Sequence, residues 1–138
     1  MKAAVCRAFA QDLSIEAIDL GDPQAGEVSV KILACAICHS DITYIDGGWG
    51  GDLPSIYGHE AVGVVDRVGA GVTDFVSGDR VVVTLIRSCK TCWQCANKNE
   101  VLCETHFDLD SRENIHDLKG EHLFQGLRTG AFAENCVV

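Results

Sequence analysis

Four cysteines in one short stretch restrict the fold of this chain more than any other feature of its sequence. They lie in the run CKTCWQCANKNEVLC, at Cys89, Cys92, Cys95 and Cys103. Four thiolates so placed can surround one tetrahedral zinc ion, and a zinc site without an open position is structural. Disulfides among the first three are unfavourable, because a disulfide requires a narrow range of Cβ geometry. The run therefore predicts a zinc-binding lobe at about residues 87–104, with a redox pair from one CxxC as the alternative.

A second group of candidate metal ligands lies earlier in the chain. Cys38-His39-Ser40-Asp41 and Gly58-His59-Glu60 flank a glycine-rich stretch. A catalytic zinc takes three protein ligands and keeps one position for water or substrate, and Cys38 and His59 would be two of the three, with Glu60 beside them. Asp41 is the expected partner of the histidine, since a zinc-bound histidine usually donates its other N–H to a carboxylate or carbonyl. Each residue alone also fits a buried core position, but together they favour a metal site.

The apolar pattern elsewhere indicates a mainly β protein. Alternating or β-branched runs separated by turn residues predict strands at about 2–9, 14–20, 27–34, 61–69 and 79–86, the first two as a hairpin. The last run is the most β-prone and is predicted to be central in its sheet. No helix of ordinary length with a clean amphipathic period precedes Gln94. Short strands at regular spacing with glycine turns predict an antiparallel barrel or sandwich.

Two further groups of residues have simple interpretations. Residues 104–125 are polar and mixed in charge, and they contain His106, His116 and His122. This composition favours a solvated loop or short helix over a further metal cluster. The cysteines outside the two candidate sites lie in apolar runs and are expected to be small core residues. They are Cys6, Cys35 and Cys136.

Length, charge and cysteine content limit the class of protein. A chain of 138 residues is the size of one domain. The net charge of -9 argues against nucleic acid and anionic membranes as partners. No apolar run has the length that a membrane span needs, and the N-terminus has no secretory leader pattern. Eight cysteines without such a leader favour metal binding over disulfides and a cytoplasmic location.

Two motifs resemble those of the zinc-dependent, medium-chain alcohol dehydrogenase family. They are Cys38-His39-Ser40-Asp41 and Pro54-Ser55-Ile56-Tyr57-Gly58-His59-Glu60-Ala61-Val62-Gly63, and the similarity extends over the whole chain. It covers only the first half of such an enzyme. The resemblance implies a GroES-like antiparallel β-barrel with short helices and a small zinc-binding lobe, residues 1–138 being the catalytic domain. In that family the matching four cysteines hold a structural zinc.

The resemblance also implies roles for individual residues. A zinc ion held by Cys38 and His59 would act as a Lewis acid on an alcohol or carbonyl oxygen. Ser40 matches the hydroxyl that relays the proton of the alcohol toward the cofactor ribose, although a turn-forming serine is an equally good interpretation. Glu60 matches a glutamate behind the metal that occasionally replaces water as a ligand. His39 matches a basic position near the cofactor pyrophosphate.

Departures from the family pattern limit what the chain is expected to do. Thr43 stands where many relatives have a histidine that ends the proton relay. The third zinc ligand and the nucleotide-binding domain of the family lie beyond Val138, and the final residues form a strand pattern that suggests a cut. We therefore expect oxidation of an alcohol to an aldehyde or ketone by hydride transfer to NAD or NADP only in a longer, homo-oligomeric enzyme. Trp49 and Tyr57 either line its substrate pocket or pack under the glycine-rich loop.

Two other functions compete with this interpretation. A zinc-stabilised GroES-like binding module without catalysis would form a ring oligomer or a partner complex and would not need Cys38 or His59. A zinc-free relative that reduces quinones or alkenes would lack both sets of zinc ligands. The presence of both sets favours the dehydrogenase.

Overall fold

The computed structural model describes every residue from Met1 to Val138 and is built mainly from β-strands. Its strands are β1 (Lys2–Val5), β2 (Ser14–Leu20), β3 (Val28–Ala36), β4 (Ser55–Ile56), β5 (Glu60–Val68), β6 (Arg80–Thr84), β7 (Ile115–Asp117), β8 (Phe124–Gln125) and β9 (Asn135–Val137). The helices are α1 (His39–Ile45), α2 (Trp93–Ala96) and 3-10 turns at Glu100–Leu102, Asp108–Asp110 and Gly126–Arg128. The prediction of a mainly β chain with short helices is confirmed.

The strands form three sheets. The largest has the order β6-β5-β3-β9, the second β1-β2-β7, and a small third sheet joins β4 to β8. Neighbours in the two larger sheets are antiparallel, whereas β4 and β8 are parallel. The predicted opening hairpin is present, with Lys2 opposite Ala17 and Val5 opposite Ser14.

Two apolar clusters hold the sheets together. One packs β3, β5 and β6 against the C-terminal strand, through Val28, Val30, Ala61, Val65, Val83, Ala131 and Cys136. The other packs β1, β2 and β7 around β4, through Ala3, Val5, Ile18, Ile56, Ile115 and Leu123. Cys6 and Cys136 are buried as expected for small core residues, whereas Cys35 is only partly buried. Burial of these side chains is the main favourable term in folding.

The predicted central position of the strand near residues 79–86 is wrong. β6 lies at an edge of its sheet and pairs only with β5. Its side chains alternate, with Val83 in the core and Val82 on the outer face, 72% exposed. A high β propensity specifies a strand but does not specify its neighbours, so propensity alone was a poor guide to position.

The segment 104–125 is more ordered than its composition suggests. It contains the 3-10 turn at Asp108–Asp110 and strand β7, which completes the sheet of β1 and β2. The expectation of a loop or short helix missed this strand because only Ile115 contributes an apolar side chain to it.

The helices are all short, and none has both the length and the apolar composition that a membrane span requires.

Candidate metal centres

The pairing of β3 with β5 brings the first group of candidate ligands together. Ala36, the last residue of β3, lies opposite Glu60, the first residue of β5. Cys38 follows Ala36 closely, and His59 immediately precedes Glu60, so all three candidates lie at one end of this strand pair. Their ligand atoms lie within 4.8 Å of one another. The long sequence interval between Cys38 and His59 is therefore closed by sheet pairing.

Asp41 is the buried centre of this group and has no exposed surface. One carboxylate oxygen, Oδ2, accepts a hydrogen bond from the Cys38 N–H at 2.9 Å and so caps the first turn of α1. The other, Oδ1, accepts from the Gly58 N–H at 3.0 Å and lies 3.1 Å from Nδ1 of His59. One side chain therefore connects the residue that begins the helix to the residues that precede β5.

The contact with Asp41 decides which histidine nitrogen can bind a metal. A carboxylate only accepts hydrogen bonds, so Nδ1 of His59 carries the proton and donates to Asp41. The lone pair then lies on Nε2, the remaining nitrogen, as in histidine ligands that are oriented by a carboxylate. Sγ of Cys38 lies 3.6 Å from Oγ of Ser40, so the serine hydroxyl borders the same group. His39 lies on the exposed side of α1.

Gly58 allows the backbone to approach this site closely. Its φ is +92°, and a Cβ atom there would lie 2.6 Å from the ring of Phe132 and 2.7 Å from its backbone nitrogen. The Phe132 N–H donates to the Tyr57 carbonyl at 2.8 Å, and the Ala131 N–H donates to the Gly58 carbonyl at 2.9 Å. These contacts press the chain before His59 against the segment 131–132, and only glycine fits there without strain.

An aromatic group lies beside the site. The ring of Tyr44 contacts Trp49 edge-on at 5.2 Å between centroids and stacks on Tyr57 at 5.6 Å. Tyr57 is buried beneath the glycine-rich loop and its hydroxyl has no hydrogen-bond partner, whereas Trp49 is 62% exposed. Tyr57 is therefore packed and Trp49 lies on the surface, and a substrate-lining role for either residue stays a prediction.

The four-cysteine group has the geometry of a tetrahedral thiolate site. Sγ of Cys89 lies 3.9 Å from that of Cys95, and Sγ of Cys92 lies 3.9 Å from that of Cys103. Sulfurs bound to one zinc ion at about 2.3 Å are about 3.8 Å apart. All four sulfurs lie within 4.8 Å of one another, so the donor set fits zinc in both number and spacing.

Local hydrogen bonds lower the pKa of two of these cysteines, Cys89 and Cys103, and so favour their thiolate form. The Cys92 N–H donates to Sγ of Cys89 at 3.2 Å, and the Cys89 N–H donates to Sγ of Cys103 at 3.4 Å. Hydrogen bonds from the Thr105 hydroxyl, the Cys92 N–H and Thr91 lower the pKa of Cys89 to about 5. Burial has the opposite effect on Cys95 and raises its pKa to about 12. A cation at the centre would favour the thiolate form of all four.

The sequence offered no signal for one of these contacts. The contact of Gly58 with Phe132 joins residues that are far apart in the chain, so it depends on tertiary structure.

The chain is similar in sequence to known proteins over most of its length. Residues 24–138 match the family model described as "Alcohol dehydrogenase GroES-like domain". Alcohol dehydrogenase 3 of Hordeum vulgare is 37% identical over 99% of this chain, which spans 38% of that relative. Alcohol dehydrogenase of Moraxella sp. (strain TAE123) is 44% identical over 76% of this chain and is covered over 32% of its own length.

Solved structures show the same fold. The alcohol dehydrogenase zinc-binding domain protein from Burkholderia ambifaria superimposes with a TM-score of 0.90 at 32% identity, over 99% of this chain and 39% of its own. Benzyl alcohol dehydrogenase from Acinetobacter calcoaceticus has a TM-score of 0.80 at 29% identity, over 99% of this chain and 38% of its own. The chain thus spans about two-fifths of the length of these relatives. The family match and the shared fold together show that this chain belongs to the family of alcohol dehydrogenase GroES-like domains.

Proposed function

We propose that this chain is the catalytic domain of a zinc-dependent alcohol dehydrogenase that oxidises an alcohol to an aldehyde or ketone with NAD or NADP. The observation that carries the proposal is the group of Cys38, His59 and Glu60, whose ligand atoms lie within 4.8 Å of one another, with the buried Asp41 in contact with Cys38 and His59. The proposal assigns residues 1–138 to this domain, with a zinc lobe at about 87–104. It assigns nucleotide binding to sequence outside this chain.

The residues of the proposed site would have different roles in alcohol oxidation. When bound, zinc would supply Lewis acidity and the nicotinamide would accept the hydride. Cys38 and His59 would hold the metal, with Glu60 as a further oxygen ligand. Asp41 would keep His59 in the tautomer that leaves Nε2 free. Ser40 would take the proton released by the alcohol, since a hydroxyl can accept and donate at once.

The proposal also covers the cofactor contact, the role of the cysteine lobe, the location, the substrate and the assembly. His39, on the exposed side of α1, would lie near the cofactor pyrophosphate. The four cysteines of the lobe would hold a structural zinc, because they leave no open position for a substrate. All eight cysteines are unpaired in the structure, which favours a reducing compartment and a cytoplasmic location. A small alcohol or aldehyde is the proposed substrate, and a homo-oligomer is the proposed assembly.

Zinc analysis of the purified chain tests the metal assignment. We expect two zinc ions per chain in the unmodified protein and one in Cys38→Ala. Cys35→Ala is the matched control, because Cys35 lies close in sequence but outside both ligand groups, and it should retain two. One zinc in the unmodified protein would contradict a metal site at Cys38 and His59 in this chain.

Activity provides the second test. In the enzyme that contains this domain, alcohol-dependent reduction of NAD or NADP should be abolished by Cys38→Ala and strongly reduced by Ser40→Ala. An unchanged rate in Cys38→Ala would exclude the proposed catalysis. The competing function, a binding module without catalysis, predicts a ring oligomer or partner complex that forms equally well in Cys38→Ala, which a mass measurement in solution would detect.

A further inference from the structure

Two histidines outside the sites described above meet on the outer surface of the smaller antiparallel sheet. His116 lies in β7, and His122 follows the turn after it and pairs back onto His116 in an antiparallel bridge. Their ring centroids are 5.8 Å apart, and both side chains are half-buried. The third histidine of this polar segment, His106, is not part of the pair.

The hydrogen bonds around the bridge place the two side chains close together. The Leu123 N–H donates to the Ile115 carbonyl at 2.9 Å, and the Asp117 N–H donates to the Glu121 carbonyl at 2.9 Å. These bonds flank the histidines and do not join them directly. Such non-hydrogen-bonded pairs have the closest side chains in an antiparallel ladder, with Cα atoms about 4.5 Å apart.

The side chain of Asp117 stabilises the turn between the two histidines by hydrogen bonds. Oδ1 of Asp117 accepts from the Lys119 N–H at 2.8 Å and from the Glu121 N–H at 3.0 Å. Its other oxygen forms an ion pair with Arg7 at 2.9 Å, and Arg7 also pairs with Glu16 of β2 at 2.6 Å. The backbone that carries His116 and His122 is thus connected to β2, both by strand pairing and through Arg7, and does not have to be ordered when a ligand binds.

Two further side chains lie beside the histidine pair, Asp19 on one side and Phe124 on the other. Asp19 of β2 lies directly opposite His116, so the carboxylate and both imidazoles project from the same face of the sheet. On the other side, the ring of Phe124 contacts His122 edge-on at 4.6 Å and limits its rotation. Two rings whose nitrogens both bind one ion at about 2 Å have centroids roughly 5 to 6 Å apart, which includes the observed separation.

We propose that His116 and His122 form a cross-strand chelate for a divalent transition-metal ion such as Zn²⁺ or Ni²⁺, with Asp19 supplying negative charge beside it. Imidazole is the ligand that these ions prefer, so the site selects them over Mg²⁺ and Ca²⁺. The proposal does not depend on the alcohol dehydrogenase function, since none of its residues belongs to either ligand group described above.

Titration of the zinc-loaded protein with Ni²⁺, followed by calorimetry, tests the chelate. We expect one additional site, weakened by roughly tenfold or more in His116→Asn and in His122→Asn, because the second imidazole binds intramolecularly. Asp19→Asn should weaken it by a smaller factor. His106→Asn is the matched control and should leave the affinity unchanged. Affinity within twofold of the unmodified protein in either His116→Asn or His122→Asn would overturn the proposal.

A measurement on the unmodified chain covers the case in which a variant does not fold. Paramagnetic Ni²⁺ broadens the ring resonances of histidines that bind it. The resonances of His116 and His122 should broaden together in the zinc-loaded protein, at a Ni²⁺ concentration that leaves His106 sharp. Broadening of only one of the pair, or of neither, would show that no chelate forms.

Discussion

Oδ1 of Asp41 accepts the Gly58 N–H and also contacts Nδ1 of His59 at 3.1 Å, while Oδ2 of the same side chain accepts the Cys38 N–H. Asp41 thereby fixes the relative position of the two proposed zinc ligands, Cys38 and His59. Because it is fully buried, each donor that faces it depends on this carboxylate for its hydrogen bond.

Asp41→Asn should weaken both the site and the fold. An amide has one accepting oxygen, so its NH₂ group must face either Cys38 or the pair of donors from Gly58 and His59. Each buried donor left without a partner costs about 1–3 kcal/mol. Loss of the carboxylate behind a histidine ligand typically lowers metal affinity by about 10- to 100-fold. Urea unfolding and metal titration would measure the two effects, and a variant unchanged in both would contradict the role given to Asp41.

Gly58→Ala should destabilise the protein more than an alanine at an unobstructed glycine of similar backbone conformation. A positive φ costs a non-glycine residue roughly 1–2 kcal/mol. The clash with Phe132 adds an overpacking cost of about 1–3 kcal/mol. Gly26→Ala is the control, because Gly26 has φ +80° and a Cβ atom added there would meet nothing within 4 Å. Equal unfolding free energies for the two variants would show that the contact with Phe132 is unimportant.

Cys103→Ser should remove one zinc ion per chain and loosen the lobe without unfolding the sheets. Neither apolar cluster contains any of the four cysteines, so the sheets retain their packing. Limited proteolysis should therefore cut within residues 89–103 in the variant. Cys35→Ser, which changes a cysteine outside the lobe, should resist cleavage there. A Cys103→Ser protein with unchanged zinc content and unchanged cleavage would contradict the tetrahedral site.

Stability should fall at alkaline pH, and Cys136 should contribute to the loss. Burial raises the pKa of Cys136 to about 12 from an ordinary value of 9.0. Between these values the unfolded chain releases the thiol proton while the folded chain keeps it, so rising pH favours unfolding. The contribution of one such thiol is at most about 1.4 kcal/mol per pH unit. Cys136→Ala should give a shallower decline in urea-unfolding free energy from pH 9 to 11, with Cys35→Ala, a less buried thiol, as the comparison. An identical slope in Cys136→Ala would refute this.

Local sequence patterns predicted much of the secondary structure. The run Ser14–Leu20 is a strand with the predicted bounds, because alternation of apolar side chains depends only on neighbouring residues. The ligand types of Cys38 and His59, together with Asp41 and Glu60, favoured a metal site, and the family motifs supported it. The structure does bring their ligand atoms together, although the metal itself stays a proposal. Helix α1 was not predicted, since its seven residues are too few for a clear helical period.

The sequence by itself determined the mainly β class, the ligand types at both candidate centres and the close spacing of the lobe cysteines, since each of these properties belongs to a short stretch of chain. Tertiary structure alone decided that β6 would be an edge strand, that Gly58 would press on Phe132 and that His116 would face His122 and Asp19. These relationships depend on which strands pair and in what register. Pairing is set by burial of apolar faces between distant segments, which no local pattern specifies.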